Sequence, residues 1–153
     1  MSAYVDALTM LARRELSESQ VRMRLARRGH DADAIDGAIR RLKEERAIDD
    51  ARVAEAIARA QTATKGRGKL RVKREIERAG IAAATAKHAV EEAFGGIDDD
   101  ALLEATLAKR LRGRPTIADA AEFGRLFRYL IVQGFEPDRI MRALAARRHA
   151  KSG

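Results

Sequence analysis

The sequence predicts an all-helical protein in which three tandem three-helix repeats, similar to helix-turn-helix units, form an elongated, curved rod. Apolar residues recur at spacings of three and four, without the strict alternation of a strand. Only two of the 153 residues are proline. A sequence pattern with a period of roughly fifty residues also indicates a modular chain whose repeats stack on their neighbours.

The repeated pattern is centred on Gly29, Gly80 and Gly134, each with apolar residues eight and four positions before it and six and ten positions after it. The flanking residues are Val21, Leu25, Ile35 and Ile39, then Val72, Ile76, Ala86 and Val90, then Leu126, Leu130, Ile140 and Leu144. Each glycine is predicted to lie just past a helix end, where a left-handed conformation is favourable only without a Cβ. The residue after each glycine is predicted to pack back against that helix.

Capping residues predict where the helices begin. Ser17 with Gln20 and Thr116 with Asp119 have capping-box spacing, at the second helices of the first and third repeats. Further predicted starts are N-caps at Asp31, Asp49–Asp50 and Asp98–Asp100, and an N1 proline at Pro137. The resulting repeats cover residues 2–46, 48–95 and 97–150.

Composition limits the classes of protein to which this chain can belong. The 31 Lys and Arg residues exceed the 23 acids, and the net charge of +8 favours a polyanionic partner or an acidic protein surface. The absence of cysteine excludes disulfides and thiolate chemistry. No apolar run has membrane-spanning length, and Met1–Met10 lacks the features of a signal peptide, so a cytoplasmic monomer without membrane contact is expected.

The sequence offers no candidate catalytic, cofactor or metal site. His30, His88 and His149 fall in different repeats, without a partner at metal-ligand spacing. The aspartates of 98–100 are better explained as helix caps than as cation ligands. Residues 64–69 resemble a phosphate loop but lack its strand and its full spacing. We therefore expect a protein that is not an enzyme.

A stripe of arginines is the strongest binding candidate. On a helix over about 67–79 they lie on the side opposite Val72 and Ile76. Arginine is suited to phosphate and carboxylate contacts, although a charged stripe is also typical of a solvated helix face. The candidate residues are Arg67, Arg71, Arg74 and Arg78 with flanking Lys65 and Lys69, and, in the neighbouring repeats, Arg24, Arg27, Arg125 and Arg128.

The second helix of the third repeat is apolar on most sides. Phe123, Phe127, Tyr129, Ile131 and Val132 add to its buried stripe. A larger local core is the preferred interpretation, and an exposed surface for a partner is the alternative.

Several motifs, in order, resemble the RecX family of bacterial regulators of the RecA recombinase. The first contains Ala7, Leu8, Leu11, Arg14, Leu16, Ser17, Val21, Leu25 and Gly29, and the second is Asp49–Ala54. The third contains Lys65, Gly66, Ile76 and Gly80, and the last contains Arg128, Leu130, Gly134, Phe135 and Ile140. Three positions depart from the family pattern: His30 and Val53 replace aromatic residues, and Gln133 replaces a basic one.

The resemblance implies a non-enzymatic protein that lies in the groove of the RecA–DNA filament, inhibits ATP hydrolysis and strand exchange, and favours loss of the filament. Single- or double-stranded DNA would be a secondary partner. Two alternatives remain open. The chain could be a basic DNA-binding protein related to helix-turn-helix modules, or a helical adaptor for another protein.

Overall fold

The computed structural model describes residues 1–148, apart from the side chains of 63–65. The helices within that range are α1 (Ala3–Arg13), α2 (Glu18–Arg27), α3 (Ala32–Glu44), α4 (Asp50–Lys65), α5 (Lys69–Arg78), α6 (Ala83–Phe94), α7 (Asp99–Leu111), α8 (Ala120–Gln133) and α9 (Pro137–Ala146). Within the same range, Ile117 and Arg148 form an isolated parallel β-bridge. The predicted all-helical fold class is confirmed.

The chain divides into two compact units. Unit 1 contains Met1–Ile57 and Glu75–Ala89, and unit 2 contains Ala58–Arg74 and the chain from Val90 onward. Helices α4, α5 and α6 are therefore each divided between the units. The repeat boundaries at 2–46, 48–95 and 97–150, and the curved rod, stay predictions.

Each unit has its own aliphatic core. In unit 1, α1 and α2 pack on α3, and their contact is centred on Val21, Leu25, Ile39 and Leu42. In unit 2, α7 and α8 pack on α9 around Leu103, Leu107, Leu111, Leu126, Leu130, Ile140 and Leu144. The apolar positions that define the glycine pattern are thus core positions, which explains why their spacing is kept in each repeat.

The three pattern glycines adopt the predicted conformation. The φ angles of Gly29, Gly80 and Gly134 are 90°, 80° and 99°, in the region that favours glycine. The N–H of each glycine donates to the carbonyl three residues earlier, at 3.0, 2.9 and 3.0 Å. In two turns the next N–H also reaches back, from His30 to Leu25 and from Phe135 to Leu130, both at 3.2 Å. These helices end as the sequence predicts.

His30, which follows Gly29, makes polar contacts with a neighbouring helix. Its Nε2 lies 3.0 Å from Oδ2 of Asp6, whose other oxygen accepts a hydrogen bond from Arg28 Nη1 at 2.6 Å. The Asp6 side chain is only 5% exposed, so a buried carboxylate joins α1 to the Gly29 turn. Ile81 and Phe135, at the equivalent positions, are buried apolar residues. At position 30 a polar contact with an aspartate on α1 thus takes the place of the buried apolar side chains found at positions 81 and 135.

Gly80 and Gly134 have a second function that the sequence did not predict. In unit 1, a Cβ on Gly80 would collide with Ser19, and the Ser17 hydroxyl donates to the Ala79 carbonyl. We call this contact, made by Ser17, Ser19, Ala79 and Gly80, the Gly80 joint. It brings a glycine turn against the first turn of α2.

The Gly134 joint is the corresponding contact in unit 2. The N–H groups of Gly68 and Leu70 donate to the carbonyls of Gln133 and Gly134, at 2.8 and 3.0 Å. A Cβ on Gly134 would collide with backbone atoms of Arg71. The end of α8 thus supplies acceptors to the first turn of α5, where helix geometry leaves N–H groups unpaired.

Most of the predicted helix starts that can be compared are confirmed. Ser17 Oγ accepts from the Gln20 N–H at 3.1 Å, and Gln20 Oε1 accepts from the Ser17 N–H at 3.0 Å, which completes the capping box. Asp31 caps α3 by accepting from Ala34 N–H at 2.8 Å. The predicted caps at Asp49 and Asp98 and the N1 position of Pro137 are also found.

The predicted capping box of Thr116 with Asp119 is wrong. Helix α8 begins at Ala120, and Asp119 is its N-cap, accepting from the Glu122 N–H at 2.8 Å. The preceding segment pairs elsewhere, since the Ile117 N–H donates to the Arg147 carbonyl at 2.9 Å. This long-range pairing holds residue 117 outside the helix.

The Gly134 joint predicts a difference between two glycine-to-alanine variants. Gly134→Ala should lower the free energy of unfolding by about 2–5 kcal/mol, because the left-handed conformation and the collision with Arg71 both oppose the new Cβ. Gly113→Ala is the matched control, since Gly113 has a φ of 82° but nothing within 4 Å of an added Cβ. It should lose only about 1–2 kcal/mol. Equal losses in urea unfolding would contradict the proposed close approach.

Candidate binding surface

The predicted arginine stripe is only partly one helix face. Arg71, Arg74 and Arg78 lie on α5, but Arg67 precedes it and donates a hydrogen bond to Gln61 on α4. The helix begins two residues later than the predicted stripe because Gly68 is held in the Gly134 joint. The Lys65 side chain and all of His149 lie outside the described residues.

Two of the candidate cations already have carboxylate partners. Lys69 Nζ lies 2.9 Å from Asp99 Oδ2 in unit 2. In unit 1, Arg78 Nη1 lies 3.1 Å from Glu75 Oε1, although the arginine side chain remains 73% exposed. A phosphate or carboxylate on a partner would have to compete with these acids.

Arg71 is tied to the Gly134 joint. Its Nη1 lies 3.4 Å from Oε1 of Gln133, and its side chain is half-buried. A basic residue at position 133 would place a second cation beside this guanidinium. The RecX pattern that this chain resembles has a basic residue at this position. The neutral Gln133 suits the contact with Arg71 better.

The other candidates have no ion pair among the described residues. Arg74 is exposed, and its Nε donates to the Leu70 carbonyl at 3.3 Å. Arg27 on α2 and Arg128 on α8 are exposed, while Arg24 is half-buried. Arg125 is exposed one turn after Glu122. Exposed arginines without a carboxylate at ion-pair distance thus occur on α2, α5 and α8, the second helix of each predicted repeat.

Many other arginines are committed to internal ion pairs. Arg114 makes two hydrogen bonds to Glu122, at 3.0 and 2.9 Å, which hold the pKa of that carboxyl below its usual value. Arg139 pairs with Asp100 at 2.8 Å, and Arg147 pairs with Glu104 at 2.8 Å. These arginines already have carboxylate partners and are poorer candidates for a binding surface.

Glu18 is the centre of a comparable network in unit 1. Its two carboxylate oxygens lie 3.0 Å from Lys43 Nζ and 3.0 Å from Arg22 Nε. The hydrogen bond from Lys43, supported by that from Arg22, holds the pKa of Glu18 below its usual value. The network joins α2 to α3.

Two arginines stack on aromatic rings, which the sequence did not predict. The Arg41 guanidinium lies 3.7 Å from the centre of the Tyr4 ring, and the Arg110 guanidinium lies 4.4 Å from that of Tyr129. Because these pairs join different helices, no local spacing indicates them. They hold two more cations in place against aromatic faces.

The aromatic residues of α8 belong mainly to the core. Phe123, Phe127, Tyr129 and Ile131 are partly buried and pack on the core of unit 2. Val132 is 62% exposed. This packing supports the core interpretation rather than a broad apolar surface for a partner.

A cavity of about 260 Å³ at the start of α8 is lined by Ile117, Ala118, Asp119, Ala120, Phe123 and Arg148. Within residues 1–148, no three His, Cys, Asp or Glu side chains are grouped as metal ligands. The helices of this part of the chain include none with the length and apolarity needed to span a membrane.

Models of protein families match the first two predicted repeats. Residues 3–42 match the first three-helix domain of RecX, and residues 49–90 match its second three-helix domain. Both matches fall on the helices α1 to α6 described above.

Curated relatives extend the similarity to most of the chain. "Regulatory protein RecX" of Halorhodospira halophila is 33% identical over 141 residues, covering 92% of this chain and 84% of the relative. The protein of the same name from Chromohalobacter salexigens is 34% identical over 143 residues, covering 92% and 89%. A crystal structure of RecX from Lactobacillus salivarius has a TM-score of 0.71 at 23% identity and covers 94% of this chain and 92% of its own. At 23% identity, the similarity to this crystal structure shows a shared fold and nothing more.

The Glu18 network predicts a pH-dependent contribution to stability. Glu18→Gln should lower the free energy of unfolding at pH 7 by up to about 1 kcal/mol. Because the folded pKa lies below the unfolded value of about 4.3, the stabilisation is complete above that value and is lost as the pH falls through the folded pKa. Urea unfolding at several pH values measures it.

Glu55→Gln is the matched control, since Glu55 is exposed on α4 and makes no ion pair among the described residues. It should change stability little at any pH. A loss for Glu18→Gln that stays constant down to pH 2 would contradict the electrostatic explanation.

Proposed function

Because this chain belongs to the RecX family of regulatory proteins, we propose that it binds the RecA–DNA filament in the helical groove and inhibits the recombinase. It acts without a catalytic site or cofactor, in the cytoplasm, by depressing ATP hydrolysis and strand exchange and by favouring filament loss. DNA inside the filament is a secondary partner.

Membership of the family is the observation that supports this proposal, and exposed arginines on the second helix of each predicted repeat supply a candidate contact surface. Arg27, Arg74 and Arg128 are exposed and have no carboxylate at ion-pair distance within the described chain. A guanidinium can bind a carboxylate or phosphate through two parallel hydrogen bonds. A filament repeats its surface, so weak contacts from successive repeats of one chain combine through effective concentration.

Charge reversal at these three positions tests the proposal. The variant with Arg27, Arg74 and Arg128 changed to Glu should need at least about tenfold more protein to inhibit the ATPase of RecA on single-stranded DNA, a loss of about 1.4 kcal/mol in binding. Helicity and thermal unfolding should remain close to those of the wild type, because all three side chains are exposed.

The matched control changes Arg40, Arg59 and Arg142 to Glu. These residues are also exposed, lie on α3, α4 and α9, and make no ion pair among the described residues. The net charge falls equally in both variants, so equal loss of inhibition would indicate a general charge effect. If the first variant inhibits the ATPase as well as the wild type does, its three arginines are solvated side chains without a role in binding.

A basic DNA-binding protein is the second candidate function, favoured by the net charge of +8. If DNA is secondary, affinity for naked DNA should be about micromolar or weaker near physiological salt. If DNA is the principal partner, the affinity should be much tighter, and its logarithm should fall with the logarithm of salt with a slope of about −0.9 for each phosphate contacted. Fluorescence anisotropy across a salt series distinguishes the two.

A further inference from the structure

One face of the second helix in each predicted repeat combines exposed apolar and basic side chains. Met23 on α2 is 48% exposed, Leu70 on α5 is 42% exposed and Val132 on α8 is 62% exposed. They lie ten, six or two positions before a pattern glycine, on the side opposite the core positions eight and four before it. We call the residues at these three positions the outer stripe of each helix: Ser19, Met23 and Arg27, then Leu70, Arg74 and Arg78, then Gly124, Arg128 and Val132.

Each exposed apolar residue of an outer stripe lies one helical turn from an arginine that makes no ion pair within residues 1–148. The pairs are Met23 with Arg27, Leu70 with Arg74 and Val132 with Arg128. Residues four positions apart are neighbours on the surface of a helix. The outer stripes themselves contain no acidic residue, so each pair presents a positive charge beside an apolar side chain.

Outside the second helices, exposed apolar residues have different neighbours. The other large apolar side chains that the structure shows exposed are Met1, Val5, Leu8 and Met141. None of them has an arginine three or four positions away. The exposed Arg40, Arg59 and Arg142, in turn, each follow an acidic residue by four positions. An exposed large apolar residue one turn from an arginine is therefore a feature of the second helices.

Gly124 shapes the outer stripe of α8. Arg128 Nη1 lies 3.3 Å from the position that a Cβ on Gly124 would occupy, so the guanidinium lies along the surface of the helix. A glycine within a helix lowers the stability of that helix relative to alanine, and here it leaves room for the arginine beside the backbone. Val132, on the turn after Arg128, is the most exposed of the three apolar residues.

We propose that the outer stripes contact protein rather than DNA, and that each meets an apolar patch beside a carboxylate on the surface of a recombinase protomer. The inference rests on the proposed function and specifies which part of the filament the second helices touch. Interfaces between proteins are enriched in arginine and bury apolar side chains at their centre. Contacts to the sugar and phosphate of DNA come from charged and polar side chains, so the three apolar residues would gain nothing there.

A protein surface of this kind would match both members of each pair. The guanidinium binds the carboxylate through two parallel hydrogen bonds, while its apolar neighbour is removed from water. Exclusion of water by the apolar contact also strengthens the ion pair. Because the protomers of a filament repeat, one small contact for each second helix is sufficient when the contacts combine.

Replacement of the three apolar residues by glutamine tests the proposal, because glutamine removes apolar surface, leaves the net charge unchanged and favours a helix. The triple variant Met23→Gln, Leu70→Gln, Val132→Gln should need at least about tenfold more protein than the wild type to inhibit the ATPase of RecA on single-stranded DNA. Its affinity for naked DNA, measured by fluorescence anisotropy, should not change. Circular dichroism and thermal unfolding should match those of the wild type, because all three side chains are exposed.

The matched control is Val5→Gln, Leu8→Gln, Met141→Gln, which alters three apolar side chains with exposures of 45%, 38% and 45%. It should inhibit the ATPase as well as the wild type does. Equal inhibition by the wild type and the outer-stripe variant, or an equal loss in both variants, would overturn the proposal, and so would a parallel loss of affinity for naked DNA. A wild type that does not inhibit RecA would contradict the proposed function itself, so the two failures are distinguishable.

Discussion

In both compact units a glycine turn closely approaches the first turn of a helix, and the missing Cβ of the glycine decides how near these two segments can lie. Helix ends leave N–H groups at one terminus and carbonyl groups at the other without partners in the helix. The Gly134 joint satisfies both sets at once, because the carbonyls of Gln133 and Gly134 accept from the N–H groups that begin α5. Backbone can approach backbone so closely only where no Cβ intervenes, which makes glycine a requirement of packing as well as of conformation.

The sequence predicted the features that short-range physics decides. Helical periodicity, the glycine turns and the Ser17–Gln20 capping box depend on residues a few positions apart, and all are confirmed. The box predicted at Thr116 was wrong because a distant partner, Arg147, binds the backbone of Ile117. The joints could not be predicted either. Gly29 and Gly134 occupy equivalent pattern positions, and only the tertiary structure distinguishes the open turn from the covered one.

For the candidate binding surface, too, the sequence predicted the local arrangement of the residues but not their distant contacts. Spacing placed Arg71, Arg74 and Arg78 on one helix but could not tell which of them is available to a partner. Glu75, three residues before Arg78, was a visible local partner. The ion pair of Lys69 with Asp99 and the contact of Arg71 with Gln133 join distant segments and could not be found from spacing. Availability therefore depends on tertiary contacts that a helical wheel omits.

The division of the arginines between paired and unpaired sets is itself an argument about function. Arg114, Arg139 and Arg147 each hold a carboxylate. Arg27 and Arg128 make no such pair among the described residues, and in a chain with a net charge of +8 they add to self-repulsion. Arginine is itself a good helix former, so helix propensity does not decide between arginine and a neutral residue at these exposed positions. A partner that supplies anions would explain basic side chains there, but Arg40, Arg59 and Arg142 are equally exposed and unpaired. The proposed role of Arg27 and Arg128 therefore depends on a partner that contacts the second helices of the repeats in particular.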